Sequence, residues 1–217
     1  MAAIYIVLES DSSDRIVQGY SWYKLPPIEE IKIVRYPKEC VLKDCEEVVI
    51  RPIKSDDRVL LNDFYTKIPE SDRWLMNYDV MDPIVMDKWF RAVEKGNVAC
   101  ILSLCEDCVV GQGSLYMKKF GATSHVGRFR IAVLPQFRQK RLGTWLLLDL
   151  IQLAMDQGLE MLRADLAGDI ENNVIEALKK FDFFKYAELE NSVKDFSGHR
   201  HNLVIMIKRM HQNWSDF

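Results

Sequence analysis

The chain has 217 residues, 48% hydrophobic and 28% charged, with a formal net charge of −3 at pH 7. That length suits one domain of ordinary size with a short appendage, and the apolar share excludes global disorder. The slight acidity excludes whole-protein attraction to nucleic acid or to an anionic membrane, so any anion site has to be local. The first ten residues, MAAIYIVLES, carry no basic n-region. The apolar stretch from Trp145 to Met155 is interrupted by Asp149 and Gln152 and is too short to span a bilayer. Five cysteines at low density fit no disulfide framework, and the expectation is a soluble protein of the reducing cytoplasm.

In chain order, Ala3 to Leu8 reads as a strand, Pro26 and Pro27 break the chain, and Ile31 to Arg35 reads as another short strand. An acidic turn between Lys43 and Glu47 leads into Val48 to Pro52. A soft boundary falls there: 1–47 form an N-terminal extension, 48–210 the main domain and 211–217 a tail. The extension is open to two readings, a small β unit for homodimerisation or one for acceptor recognition. Asp56 to Tyr65 reads as a helix with Leu60, Leu61 and Phe64 on one face, capped by Ser55 or Asp56. Met86 to Lys95 is a second helix, with Trp89, Phe90 and Val93 as its buried stripe. Ala99–Cys105 and Val109–Met117 form an antiparallel pair, and His125 to Val133 is a long strand.

Thr144 to Gln157 is a helix ended by Gly158, a natural C-cap. Its polar residues Asp149, Gln152 and Asp156 make a narrow stripe, so the helix lies deep against a sheet. Leu162–Ala167 is a strand, Asn173–Phe181 a helix, and Phe184–Lys194 and Leu203–Lys208 are strands. The class is therefore α/β (α+β), with antiparallel strands early and a strand–helix–strand unit in the middle.

The most informative passage is IAVLPQFRQKRLGTWLLL, Ile131 to Leu148. An apolar run stops at Pro135, a basic loop follows with Arg138, Lys140 and Arg141, and Gly143 and Thr144 lead into an apolar helix. A strand feeding a helix through such a turn offers free N–H groups at the positive end of the helix dipole, a site for phosphate. A GxxxxGKS/T loop is absent. Gly111-Gln112-Gly113 starts like a dinucleotide fingerprint but lacks the third glycine and the following helix.

The spacing Arg138-x-x-Arg141-x-Gly143-Thr144, after Val133-Leu134-Pro135, resembles the acyl-CoA loop (R/Q-x-x-G-x-G/A) of the GNAT family of N-acetyltransferases. The resemblance runs from about Val48 to Met210. VVGQGSLYM sits one strand before the loop, KKFDFF stands where the family has a lysine-rich helix end followed by Gly-Phe, and DFSGHRHNLVIMIKRM is similar to the last strands of the lysine-acetylating branch. There are departures: Arg141 replaces the loop's first glycine, Asp182-Phe183 the Gly-Phe pair, Leu178 the thiolate-protonating tyrosine and Arg128 a glutamate of the long strand.

The resemblance implies a mixed, mostly antiparallel central sheet flanked by helices, with acetyl-CoA as co-substrate and an amine, small or a protein lysine, as acceptor. It places the CoA pyrophosphate on the amides of Gln139, Lys140, Arg141, Leu142, Gly143 and Thr144, with Arg138, Lys140 and Arg141 adding three positive charges. It gives the pantetheine arm to the backbone of Ile131, Ala132 and Val133, where the long strand bulges from its neighbour. Asn172 and Asn173 are candidates for a further coenzyme contact or an ordinary helix N-cap.

Amine acetylation needs a base, and four residues qualify by type: His125 at the start of the long strand, Asp165 within the next, Glu171 beside the following helix and His201 before the last strand. Tyr186 or Tyr116 is available as an acid. No metal is expected: Cys105-Glu106-Asp107-Cys108 has no second pair and reads as a turn between strands, and His199-Arg200-His201 has no carboxylate pair beside it in sequence. The missing tyrosine and glutamate leave a second reading open, a non-catalytic acyl-CoA-binding sensor or regulatory module.

Overall fold

The computed structural model describes residues 35–76 and 78–210. The strand expected at Ala3–Leu8, all but the last residue of that at Ile31–Arg35, and the tail 211–217 lie outside the described residues. Strand β1 (Lys38–Val41) and strand β2 (Glu47–Pro52) form a hairpin around the acidic turn. β1 lies before the soft boundary at 47/48, so the sheet extends across it. Antiparallel pairing continues through β3 (Val98–Cys105), β4 (Cys108–Tyr116) and β5 (Val126–Val133). β6 (Met161–Ala167) runs parallel to β5, and β8 (Arg200–Arg209) lies between β6 and β7 (Phe184–Lys194), antiparallel to both. Among the described residues the result is one eight-stranded sheet, mixed and mostly antiparallel, as the family resemblance implies.

Among the described residues five α-helices pack around it: α1 (Arg58–Thr66), α2 (Glu70–Trp74), α3 (Pro83–Glu94), α4 (Leu142–Asp156) and α5 (Asn172–Lys179). A 3-10 turn, Ser55–Asp57, leads into α1, and neither Ser55 nor Asp56 caps it. Buried Asp57 instead takes the Arg51 guanidinium at 2.6 and 2.7 Å and the Lys54 N–H at 2.7 Å. The α3 helix starts at Pro83, before the expected Met86, because the Asp82 carboxylate accepts the Ile84 N–H at 2.8 Å and proline suits the first helical position. The α2 helix was not expected from sequence; five residues are too few to show an apolar period.

Side chains alternate across a strand, so Gly111 and Gly113 face one side of β4 and Gln112 the other. The α4 helix covers the glycine side: a Cβ at Gly111 would stand 3.2 Å from Leu142 and Leu146, and one at Gly113 3.2 Å from Ile101 and Leu150. The two glycines read above as a failed nucleotide fingerprint thus bring α4 close to the sheet. Tyr65 of α1 reaches Gln112 on the opposite face. The polar stripe of α4 is also explained. Buried Asp149 pairs with Lys38 at 2.7 Å, Asp156 pairs with Arg35, and the Lys38 ammonium lies 4.8 Å from the Trp145 ring centre. The stripe is where the chain entering β1 crosses the helix.

Replacing Gly113 by valine forces a branched side chain into the α4–β3 contact. Urea unfolding is expected to show a loss of about 1–3 kcal/mol, with no change at the sheet's β7–β8 end.

Candidate active site

The β5 and β6 strands pair only at Val126↔Met161, Gly127↔Leu162 and Arg128↔Arg163. Beyond that they part. β5 stays with β4 as far as Gly111↔Val133, and β6 stays with β8 as far as Ala167↔Leu203. Each strand keeps its outer neighbour and loses the inner one. The Leu134 N–H donates to the Val110 carbonyl at 3.0 Å, so by alternation Ala132 also turns its backbone to β4. Ile131 and Val133 turn theirs to the gap.

Two side chains enter the gap. The Arg130 guanidinium donates to the Asp165 carbonyl at 3.3 Å and to the Leu75 carbonyl, and stands 3.5 Å from the Glu171 carboxylate. Glu171 accepts the Ala167 N–H at 2.8 Å. Burial raises the Glu171 carboxyl above its ordinary range, against the pull of Arg130 and of the Ala167 amide, while Asp72 pushes the same way as burial. A carboxyl raised in this way, lodged where two strands part, is suited to take up and release a proton.

At the open end of the gap lies the basic loop. Gln139 has φ 60° and Arg141 φ 72°, both left-handed, and Arg141 is the residue before the first turn of α4. Alternation of this kind curls main-chain N–H groups into a concave donor set. The N–H groups of Gln139, Lys140, Arg141, Leu142 and Gly143 meet no acceptor at normal hydrogen-bond geometry among the described residues. A Cβ at Gly143 would meet nothing within 4 Å, so space beside the helix start is open. This is a cradle for an oxyanion.

The three cations expected there are not equally available. Arg138 donates from Nε to the Val133 carbonyl at 3.0 Å and from Nη2 to the Asp72 carboxylate at 2.5 Å. Lys140 pairs with Asp44 and, at 2.8 Å, with Glu46, and its carbonyl accepts the Lys43 N–H at 3.2 Å. The β1–β2 turn and α2 thus neutralise two of the three charges, a correction to the charge count made from the sequence. Arg141 is exposed.

On the face opposite α4, a cavity of about 20 Å³, room for one water, is bordered by Tyr65, Tyr78, Tyr116 and Arg130. The Tyr65 hydroxyl donates to Gln112 at 2.6 Å, and the Tyr78 and Tyr116 hydroxyls lie 2.6 Å apart. Burial pushes all three phenols up, so they stay protonated.

The four base candidates separate clearly. Glu171 alone sits in the gap. His125 precedes β5 at its closed end, about 26 Å of extended chain from Val133. The Asp165 carboxylate is held two-pronged by Arg163 at 2.6 and 3.1 Å on the sheet face. Both ring nitrogens of His201 are engaged, Nδ1 by Asp169 at 2.8 Å and Nε2 by Asp195 at 3.3 Å. Asn172 and Asn173 are exposed in the first turn of α5, whose N-cap position is Glu171, so neither is the cap. Leu178 is buried, Tyr186 is exposed on the edge strand, and Asp182 keeps a left-handed φ of 61° where the family has glycine. Cys105 and Cys108 face each other across the β3–β4 turn as free thiols, and the described residues hold no group of three or more His, Cys, Asp or Glu placed for a metal.

Arg130, Asp72, Asp44 and Glu46 were missed from the sequence. Arg130 had a signal, its i, i+2 relation to Arg128 on one strand face; the three acids lie far from the loop in sequence and had none.

A parted parallel strand pair with an amide-lined loop at its mouth defines the class. The model of the Acetyltransferase (GNAT) family matches residues 61–183, more than half of the chain, and the chain belongs to that family. A comparison with curated protein sequences gives no match. Among solved structures, ribosomal-protein-alanine N-acetyltransferase from Brucella melitensis is similar at 20% identity and TM-score 0.64, covering 74% of this chain and 99% of that one. YncA from Salmonella typhimurium, described with its cofactor acetyl-CoA, is similar at 18% identity and TM-score 0.65, covering 77% and 96%. A phosphinothricin acetyltransferase from Sinorhizobium meliloti in complex with acetyl-CoA gives 14% identity and TM-score 0.64, covering 77% and 91%.

Hydrogen bonds to Asp169 and then Asp195 raise His201 above 6.5. A raised histidine contributes stability below its unfolded value and loses it as pH rises through the folded one. An NMR titration should place the His201 midpoint above 6.5, and Asp169→Asn should lower it.

Proposed function

We propose that the protein transfers an acetyl group from acetyl-CoA to an amine by direct attack on the thioester. The observation that carries this reading is the parting of β5 from β6, with Glu171 inside the gap and five amides without acceptors at its mouth. The acetyl-CoA complexes of two similar structures support the choice of donor.

In this reading the pyrophosphate rests on the N–H groups of Gln139 to Gly143; the Thr144 amide, expected from the sequence to join them, already donates to the Arg141 carbonyl at 3.0 Å, and Gly143 leaves the space for the phosphates. The pantetheine amides bond the gap-facing backbone of Ile131 and Val133. Glu171 takes a proton from the acceptor ammonium. The free nitrogen attacks the carbonyl carbon, and a gap-facing N–H of β5 donates to the oxyanion. The C–N bond forms, the C–S bond breaks, CoA departs as a thiolate, and the second proton of the attacking nitrogen passes to that thiolate, leaving the amide and the CoA thiol. A thiolate of pKa about 8.5 leaves without strong acid help, so Leu178 in place of tyrosine is tolerable. Tyr116, whose hydroxyl bonds that of Tyr78 on the face opposite α4, and Tyr186, exposed on the edge strand, are the two candidate acids.

Thiol release from acetyl-CoA with an amine panel tests the reading; tight CoA binding without turnover on any amine or lysine peptide would favour the sensor instead. The deprotonated carboxylate is the working form, so kcat/KM should fall as pH drops through a value above glutamate's ordinary range of about 4.3. Glu171→Gln should lower kcat by about 100-fold or more and remove that acidic limb. Gly143→Ala, whose added Cβ meets nothing within 4 Å, should keep the thermal midpoint and weaken CoA binding about tenfold or more by calorimetry, a change of about 1.4 kcal/mol.

A further inference from the structure

Cross-strand partners share a sheet face, so the register defines a row on the side opposite α4: Tyr116, Arg128, Arg163, Ile207 and Phe184. Arg128 and Arg163 are direct neighbours in it. Like charges placed opposite each other destabilise a sheet, so a pair of guanidiniums normally comes with carboxylates to match. Here there is one. Asp165 is taken two-pronged by Arg163 at 2.6 and 3.1 Å, and Arg128 reaches the same carboxylate only at 3.9 Å. The Arg128 side chain is 57% exposed and donates no hydrogen bond to any described residue. Arg130 adds a third guanidinium one row nearer the gap, and its carboxylate partner, Glu171, is raised by burial and so holds its charge less firmly. The chain as a whole carries −3, so this cationic surplus is local.

We infer that Arg128 and Arg163 bind an oxyanion, a carboxylate or a phosphonate-type group, carried by the amine that is acetylated. The inference rests on the proposed transfer to an amine and adds the acceptor's chemical class. Arg128 belongs to the last pair before β5 and β6 part, and Arg130, beside Glu171, is two residues on. The spacing between the anion and the reacting nitrogen is therefore roughly 5–8 Å, given about 3.3 Å per strand residue. The planar guanidinium presents paired donors that match a carboxylate or phosphonate. Arg128 is a specificity residue in this account, and Glu171 remains the base.

The test uses ω-amino carboxylates of two to six carbons, aminoalkyl phosphonates, the matched amino alcohols and the matched diamines. Thiol release gives kcat/KM for each with acetyl-CoA saturating, in the wild type, Arg128→Gln and Arg128→Glu. The wild type should favour an anionic member over its alcohol by about tenfold or more, the carboxylate and phosphonate arms separating the two sources of the oxyanion. Arg128→Gln should collapse that ratio through KM, and Arg128→Glu should invert it towards diamines. Calorimetric binding of the same amines, wild type against Arg128→Gln, reads the anion site without turnover. Selective binding with no thiol release from any amine would overturn the transferase reading and keep the anion site. Equal binding and turnover of charged and neutral amines, unmoved by Arg128→Gln, would overturn the anion site and keep the transferase.

Discussion

The structure depends on the loss of ladder hydrogen bonds between β5 and β6. Unpaired main-chain groups inside a protein are costly, so a sheet does not open between two central strands unless something answers the freed N–H and C=O groups. The protein answers some of them itself: Arg130 takes the Asp165 carbonyl, Arg138 takes the Val133 carbonyl and Glu171 takes the Ala167 N–H. The backbone of Ile131 and the Val133 N–H are left, in line with the amides of the loop beyond. An extended ligand bearing amides at one end and phosphates at the other satisfies that sequence of groups.

The electrostatics of the loop follow from its neighbours rather than from its composition. Asp72 holds Arg138, and Asp44 with Glu46 holds Lys140, so those two side chains anchor the loop to α2 and to the β1–β2 turn. These pairs are partly exposed and individually worth little in stability. Their effect is positional: the loop's left-handed turns at Gln139 and Arg141 are fixed before any ligand arrives, and the amides rather than the cations present the binding surface. Left-handed backbone costs about 1–2 kcal/mol for a residue with a Cβ. Arg141 and Asp182 each carry that strain.

Most of the fold was readable from the sequence because its elements are periodic and punctuated. The β3–β4 pair, the long strand β5, the apolar helix α4 with Gly158 behind it and the strand–helix–strand passage after it all lie within a few residues of expectation. The loop was readable for the same reason, as a breaker and a glycine between an apolar strand and an apolar helix. What escaped depends on contacts between distant segments. The polar stripe of α4 has meaning only beside Lys38 and Arg35, and the charge of the loop only beside Asp44, Glu46 and Asp72. Glu171 stood level with three other bases in the sequence, and only the register separates it from them, since the place where two strands part is set by pairing and not by either strand's composition.

The central claim is that the gap-facing backbone of β5 and the amides of the following loop grip a coenzyme A thioester. The most direct measurement is an amide-resolved NMR titration of the full chain with acetyl-CoA. Saturable shifts confined to Ile131, Val133 and Gln139 to Gly143, with His125 at the closed end of the strand unmoved, are the predicted result. No saturable shift in those amides, or saturable shifts gathered only in residues away from the gap and the loop, would contradict it.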